Sequence, residues 1–279
     1  MNCRSAVITL SLAATLLGAC AHRPPATADL QGLLPTPLLL LGEQHDAAEH
    51  QALQRQTLRQ LVDAGQAAAL VLEMAERGRR TSGLPRDASE ARVREALDWH
   101  EAVNAGAWPW ATYGPLVMDA VRAGVPVLGG NLPRAQMRTA MAEGGLDATL
   151  DAAALQQQRE NIRDGHCDLL PATQIAPMAR IQIARDRTMA QTATELAAQA
   201  NAPQMVLLVA GTEHVRRELG VPAHLPAEWR SNTHVVVMHS GLAEATALAG
   251  ADSVWLTPAT PPKDHCAALR QRWGQPGAR

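Results

Sequence analysis

The sequence contains no phenylalanine and a single tyrosine, Tyr113, so any role that needs a phenol falls on that one residue. Six tryptophans supply the rest of the aromatic surface. The formal net charge is −2, and a surface this close to neutral gives no electrostatic reason to expect a nucleic acid partner. No Gly-x-Ser-x-Gly segment is present, which disfavours Ser/His/Asp catalysis of the α/β-hydrolase kind. No internal repeat or low-complexity segment is evident.

The N-terminus predicts export and lipid attachment. Residues 1–19 carry one basic residue, Arg4, before an apolar run. Such a run is too short to span a bilayer and is typical of a secretory signal. It ends in Leu17-Gly18-Ala19-Cys20, which resembles a bacterial lipobox whose cysteine is acylated and becomes the mature N-terminus. Because Ala21 is not the aspartate that retains lipoproteins at the inner membrane, we expect a lipid-anchored protein of the cell envelope, at the outer membrane of a Gram-negative bacterium.

The proline-containing residues 20–36 predict a tether between the lipid and the domain. Beyond the tether only two cysteines remain, Cys167 and Cys266. In an oxidising envelope these two could form a disulfide. Alternatively, Cys167 could serve a site together with its neighbour His166. The sequence leaves both possibilities open.

After the tether, apolar runs alternate with helical patterns, which is typical of βαβ units. Strands are predicted over 37–42, 68–74, 125–130, 205–211 and 234–239, with a weaker sixth over 252–258. The sequence therefore predicts an α/β fold with a central, mostly parallel sheet flanked by helices, in a single domain over 37–260 followed by a C-terminal tail over 261–279. Surplus helix in about 77–120 and 135–195 predicts a helical lid over the carboxyl edge of the sheet.

Polar residues directly follow four of the predicted strands. The carboxyl ends of parallel strands meet at one edge, where open α/β sheets bind ligands. A buried carboxylate at such an edge requires a hydrogen-bond donor or a metal. If the chain is an enzyme, we expect a hydrolase in which an imidazole is the general base and a carboxylate orients it or activates water, alone or through a divalent metal such as zinc. The candidate catalytic residues are Glu43, His45, Glu73 and His214.

Four aromatic residues fall within fifteen positions: Trp99, Trp108, Trp110 and Tyr113. They could form a small local core, or a flat apolar wall suited to a planar aromatic ligand. Farther along the chain, Gln182, Arg185 and Asp186 share one face of a predicted helix and could reach across to the sheet.

Six segments occur in a characteristic order. They are GEQHDAAEH (42–50), LVLEM (70–74), GGNLPRA (129–135), GHCDLLP (165–171), MARIQIARDRTMA (178–190) and AGTEHVRRELGVP (210–222). Together they resemble the ChaN-type haem-binding lipoproteins, which are similar to a broader group that includes the Tiki proteases and erythromycin esterases. The resemblance extends from about residue 37 to residue 240.

This resemblance implies haem held between the sheet edge and the lid, and a role in haem or iron acquisition. It also implies a homodimer with cofacial haems and exchange with an outer-membrane haem or iron receptor. The family associates haem iron with a tyrosine, which here must be Tyr113, in a segment that resembles its Trp-x-x-Tyr-x-Pro stretch. His166 is the second candidate, because imidazole is a common haem ligand. No Cys-x-x-Cys-His run is present, so covalent attachment is unsupported.

The resemblance also implies which residues contact the cofactor. The arginines are candidates to pair with haem propionates, and the strand-end residues would face the same cavity. The full expected set is Glu43, His45, Glu73, Trp110, Asn131, Arg134, Gln182, Arg185, His214 and Arg216. Binding haem requires no catalysis, and the metal-dependent hydrolase stays the alternative; the single tyrosine and the tryptophans favour haem.

Overall fold

The computed structural model describes Leu33 and residues 36–100, 108–242 and 248–273. The predicted signal peptide, Cys20 and most of the tether lie outside these residues. Within the described ranges, no helix combines the length and the apolar character needed to cross a bilayer.

A six-stranded sheet forms the centre of the molecule, with every pair of neighbouring strands parallel. Residues alternate between its faces: Leu39 and Leu41 belong to one buried core and Leu38 and Leu40 to the other. Parallel sheets covered on both faces require such continuous apolar strands. The strands are β1 (Leu38–Glu43), β2 (Ala67–Glu76), β3 (Val127–Asn131), β4 (Met205–Gly211), β5 (Thr233–Ser240) and β6 (Ser253–Thr257). The predicted parallel α/β fold is confirmed.

The spatial order of the strands is β3-β2-β4-β1-β5-β6. From β1 the chain crosses to β2 on one side, whereas from β4 it crosses to β5 on the other side. The edge above β1 and β4 is therefore the point where the direction of winding reverses, and open α/β sheets bind their ligands at such points.

One face of the sheet is covered by α1 (Ala48–Asp63), α2 (Glu90–Ala96) and α3 (Trp110–Ala123). Helix α3 ends at Gly124, whose left-handed φ of 81° suits glycine. Trp99 and Trp110 pack edge to face, with ring centroids 5.3 Å apart, in the same core as the inward residues of β1. Much of the region 77–120 therefore covers this face.

The opposite face is covered by the C-terminal half of α6 (Ala172–Ala197), through Met189 and Ala193. The N-terminal half of α6 packs in a separate core with α4 (Arg134–Ala142), a 3-10 helix over 144–149 and α5 (Ala152–Gly165). These helices follow the carboxyl end of β3 and precede β4 in the chain. They therefore lie beside the carboxyl edge of the sheet.

The remaining short helices are α7 (Thr212–Val215), a 3-10 helix over 221–224, and α8 (Ala227–Arg230), and the C-terminal helix is α9 (His265–Trp273). A disulfide joins Cys167, just after α5, to Cys266 at the start of α9, with Cα atoms 5.6 Å apart. Of the two possibilities that the sequence leaves open for these cysteines, the structure shows the disulfide.

Candidate functional site

The carboxyl edge of the sheet opens into a cleft of about 1170 Å³. Because the strands are parallel, their ends deliver side chains to this cleft from separate parts of the chain. The predicted site residues that line it are Glu43, His45, Glu73, Asn131, Arg134, Arg185 and His214.

Glu43, at the end of β1, is a buried carboxylate with four donors. Its Oε1 atom accepts from the Tyr113 hydroxyl at 2.6 Å and from His45 Nδ1 at 2.7 Å. Its Oε2 atom accepts from Gln51 at 2.8 Å and from Gln54. A buried carboxylate is tolerated only when its lone pairs are satisfied in this way. Glu43 thus fixes the position of His45.

His45 lies half-exposed at the cleft, with 38% of its side chain accessible. Burial alone would lower the pKa of this imidazole, but the hydrogen bond to Glu43 and the charge of Glu73 raise the pKa above its ordinary value. Its Nε2 atom lies 3.7 Å from Glu73 Oε2. The Trp108 ring stands edge to face with the imidazole, with centroids 6.2 Å apart.

Glu73 connects the ends of β2 and β4. One oxygen accepts from the Gly211 backbone at 2.7 Å, and the other contacts Arg185 at 2.6 Å and His214 at 3.2 Å. Burial would raise the pKa of Glu73, but the charges of His214, Arg185 and His45 hold the pKa well below its usual value. Glu73 is therefore ionised at neutral pH.

His214 is clamped between two buried carboxylates. Its Nδ1 atom lies 2.5 Å from Asp186 and its Nε2 atom 3.2 Å from Glu73. Burial would lower the pKa of His214, but the two acids raise it to about 9. Burial raises the pKa of Asp186 to about 6, against the opposing charges of His214 and Arg185. With both ring nitrogens donating, His214 is an imidazolium and has no lone pair for a metal or a proton.

Helix α6 supplies the other half of this network, as its predicted polar face suggests. Arg185 donates to Asn131 at 2.8 Å as well as to Glu73. The Gln182 amide nitrogen packs against the His214 ring, 3.1 Å from Nδ1, where the imidazolium offers it no acceptor. Asn131 in turn donates to the Glu73 backbone at 2.8 Å. These bonds fasten α6 to the ends of β2 and β3 and fix the floor of the cleft.

The structure places several other predicted site residues away from the cleft lining. Trp110 and Tyr113 lie in the core, 5% and 1% exposed, because this face of α3 packs against the sheet. Burial and the neighbouring Glu43 raise the pKa of the Tyr113 phenol, which opposes formation of a phenolate. His166 ends α5, with Nδ1 2.7 Å from the Ile162 carbonyl, and Arg216 contacts Glu213 at 3.5 Å. Of the aromatic group, Trp108 alone reaches the cleft lining.

The cleft also contains groups that the sequence analysis did not propose. Among them are Met74, His239, Lys263 and His265. His239 ends β5, so the same strand-end argument that selected Glu43 and Glu73 applies to it. Trp108 belongs to the aromatic group that was expected to form either a local core or a flat wall for a planar ligand, and it lines the cleft. Lys263, the only lysine in the chain, and His265 follow β6 in a segment that no local pattern connects to this edge.

No group of three His, Cys, Asp or Glu side chains is arranged as a metal site among the described residues. His50, the last residue of the first motif, is fully buried and hydrogen-bonds Thr257 at 3.1 Å and the Gln44 backbone at 3.0 Å. Burial lowers its pKa to about 4. His50 therefore holds the turn after β1 and does not line the cleft.

The sequence matches a protein family described as haem-binding uptake, Tiki superfamily, ChaN, over residues 30–225. This chain belongs to that family. Among curated protein sequences, none is significantly similar to it.

A solved structure reporting cofacial haem binding to ChaN of Campylobacter jejuni is similar, with a TM-score of 0.63 at 22% identity over 81% of this chain and 89% of that chain. At this identity the similarity establishes the fold. Weaker similarities reach the type III effector HopBA1, with a TM-score of 0.43 at 15% identity over 80% and 88% of the two chains. An erythromycin esterase, EreC, has a TM-score of 0.41 at 15% identity, over 74% of this chain and 70% of that chain.

Proposed function

We propose that this protein binds haem in the cleft at the carboxyl edge of the sheet. The observation that carries the proposal is the cleft itself. Its volume of about 1170 Å³ exceeds the usual range of small-molecule pockets, roughly 300–1,000 Å³. It combines apolar surface from Met74, Leu132 and Met137 with the cationic side chains of Arg134 and Lys263. A flat apolar macrocycle with two carboxylates needs both kinds of surface.

The donor set of the cleft fits a haem iron better than it fits a bare divalent ion. Haem needs one or two axial ligands from the protein, because the macrocycle supplies the rest. A bare divalent ion needs several protein ligands together, and the acids here already have partners: Glu43 with Tyr113, and Glu73 with Arg185 and His214.

Among the cleft imidazoles, His239 is the one that would hold the haem iron. His214 has both nitrogens bonded to acids, and His45 is held by Glu43. His239 is half-buried near the end of β5 and lines the cleft, and among the described residues its side chain forms no hydrogen bond that iron binding would have to break. When bound, haem would supply the iron chemistry; the chain would supply the ligand, the apolar walls and the fixed charges.

Titration of the purified protein with hemin tests this proposal. We expect a saturable, shifted Soret band at a defined stoichiometry. His239→Ala should change the ferric spectrum or weaken binding. His166→Ala, at the imidazole that the sequence predicts as a ligand and that lies outside the cleft lining, is the control and should leave both unchanged. A featureless, unsaturable response of the wild-type protein would contradict haem binding and return the metal-dependent hydrolase as the better hypothesis.

The proposal also includes a lipid anchor at Cys20 and a homodimer in which two haems stack. The lipobox at Cys20 supports attachment to the outer membrane and a role in haem or iron acquisition through a receptor there. Family membership, and the cofacial haem of the Campylobacter jejuni relative, support a homodimer with stacked haems. Cys20→Ala should release the protein from the membrane fraction; continued fractionation with membranes would contradict lipidation. A rise in mass on hemin addition, followed by light scattering, would support the dimer.

A further inference from the structure

One wall of the cleft comes from a part of the chain beyond the family match, which ends at residue 225. After β6, residues 260–265 return across the carboxyl edge of the sheet; we call this segment the strap. Its residues Thr260, Pro261, Pro262, Lys263 and His265 line the cleft. The segment that the sequence predicts to be a tail therefore begins as part of the candidate site.

The strap is fastened to the sheet side of the cleft by polar contacts. Thr260 hydrogen-bonds Ser240, at the end of β5, over 3.2 Å. Lys263 donates to Asp46, in the turn after β1, over 2.9 Å. Lys263 and Asp46 are 66% and 51% exposed, and exposed ion pairs of this kind contribute little. The sheet side of the strap is consequently held by the covalent chain and by weak contacts.

On the helical side, the fastening is covalent. Cys266 directly follows the strap, and its disulfide to Cys167 connects the strap to the turn between α5 and α6 across 99 residues of sequence. These two parts also share a hydrogen bond of 3.3 Å between His265 and the Gly165 carbonyl. Without the disulfide, only noncovalent contacts would connect the strap to the helices.

We propose that the strap is a wall of the ligand site and that the Cys167–Cys266 disulfide holds it closed over bound haem. This inference rests on the proposed function. Consecutive prolines, Pro261 and Pro262, stiffen the strap and keep it from collapsing into the cleft. With both ends fastened, haem leaves only when the strap or the helices move. Breaking the disulfide frees one end, and differences of this kind between variants of one site fall mainly on the dissociation rate.

The experiment measures haem dissociation from the haem-loaded protein into excess apomyoglobin, followed by the Soret band. The double variant Cys167→Ala/Cys266→Ala should release haem about tenfold faster than the wild type. The wild type treated with a dithiol should match the variant. In that reaction the disulfide gains two electrons and two protons, and the dithiol becomes a disulfide. Dithiol should leave the double variant unchanged.

One control separates the effect of the strap on haem release from a general loss of stability. Leu61→Ala removes a fully buried side chain on α1 that does not line the cleft, so it destabilises the fold without touching the strap. If it accelerates release as much as the cysteine variant, the proposal is overturned. A dissociation rate in the folded cysteine variant within about twofold of the wild type would also overturn it. If the oxidised wild type takes up no haem at all, the proposed function fails first, and this inference fails with it.

Discussion

Tyr113 donates its hydroxyl to Glu43 over 2.6 Å, and this bond gives the only phenol of the chain a positioning role. The same Glu43 oxygen accepts from His45, so the phenol helps to fix the imidazole that faces the cleft. The ring is 1% exposed. Tyr113 therefore helps to position His45 through Glu43 and does not itself line the cleft.

The variant Tyr113→Phe decides between this role and iron ligation. We expect the ferric haem spectrum to be unchanged, because the phenol is buried against a carboxylate. We also expect the free energy of unfolding to fall by about 2 kcal/mol, since a hydrogen bond to a charged acceptor is lost. Absorption spectroscopy and denaturant unfolding measure the two effects. An altered ferric spectrum would restore the family-based prediction that Tyr113 binds iron.

The clamped His214 predicts a loss of stability at alkaline pH. The pKa of His214 is raised from 6.5 to about 9, so the folded state binds this proton more tightly than the unfolded state. The resulting stabilisation is fully present below pH 6.5 and is lost as the pH rises through 9. Above pH 7, Glu73 and Asp186 are ionised in both states and do not contribute to the slope. The expected loss is about 3 kcal/mol.

Denaturant unfolding between pH 7 and pH 10 measures this loss. His214→Gln should abolish the part of the slope that His214 contributes. Asp186→Asn should move the decline to lower pH, because one of the two charges that hold the proton is removed. If the wild type and His214→Gln show the same pH dependence, then His214 is not an imidazolium in the folded protein.

Arg185 should be essential for the stability of the cleft floor. It contacts the buried Glu73 at 2.6 Å and Asn131 at 2.8 Å. Arg185→Met leaves Glu73 with fewer partners in a buried position, which should lower the free energy of unfolding by about 3 kcal/mol. Arg187→Met, an exposed position on the same helix, is the control and should have little effect. Equal losses in the two variants would show that Arg185 acts only through general helix packing.

The strand-end residues could be predicted from sequence because a parallel sheet aligns the ends of its strands. Glu43, Glu73, Asn131 and His214 needed only the recognition of four apolar runs. The same rule finds His239 when it is applied to β5. The order of the strands was not needed, since any parallel order places these ends on one edge.

The positions of the aromatic residues could not be predicted from the strand pattern. Proximity in sequence predicted a shared location for Trp108, Trp110 and Tyr113, but α3 turns the last two toward the sheet and leaves Trp108 at the cleft. Which face of a helix is buried depends on its neighbours. The disulfide between Cys167 and Cys266 was one of two possibilities that the sequence left open, but the path of the strap across the cleft could not be predicted, because no local pattern places residues 260–265 at this edge.

Gly211 offers a test of the site that leaves the fold intact. A Cβ atom at this position would lie 2.9 Å from His45 Nε2 and 3.6 Å from Glu73 Oε2. The backbone there, at φ −59° and ψ 150°, suits alanine as well as glycine, so Gly211→Ala acts through this contact alone. His45 is half-exposed and can swing into the cleft, whereas the rigid end of β4 cannot yield.

We therefore expect Gly211→Ala to displace His45 and to weaken hemin binding about tenfold, while the melting temperature changes little. Gly145→Ala, a position where a Cβ would meet no atom within 4 Å, is the matched control and should bind hemin as the wild type does. The combined variant Gly211→Ala/His45→Ala should regain part of the lost affinity, because the clash is removed together with the imidazole. Unchanged binding in Gly211→Ala would show that haem does not depend on the position of His45.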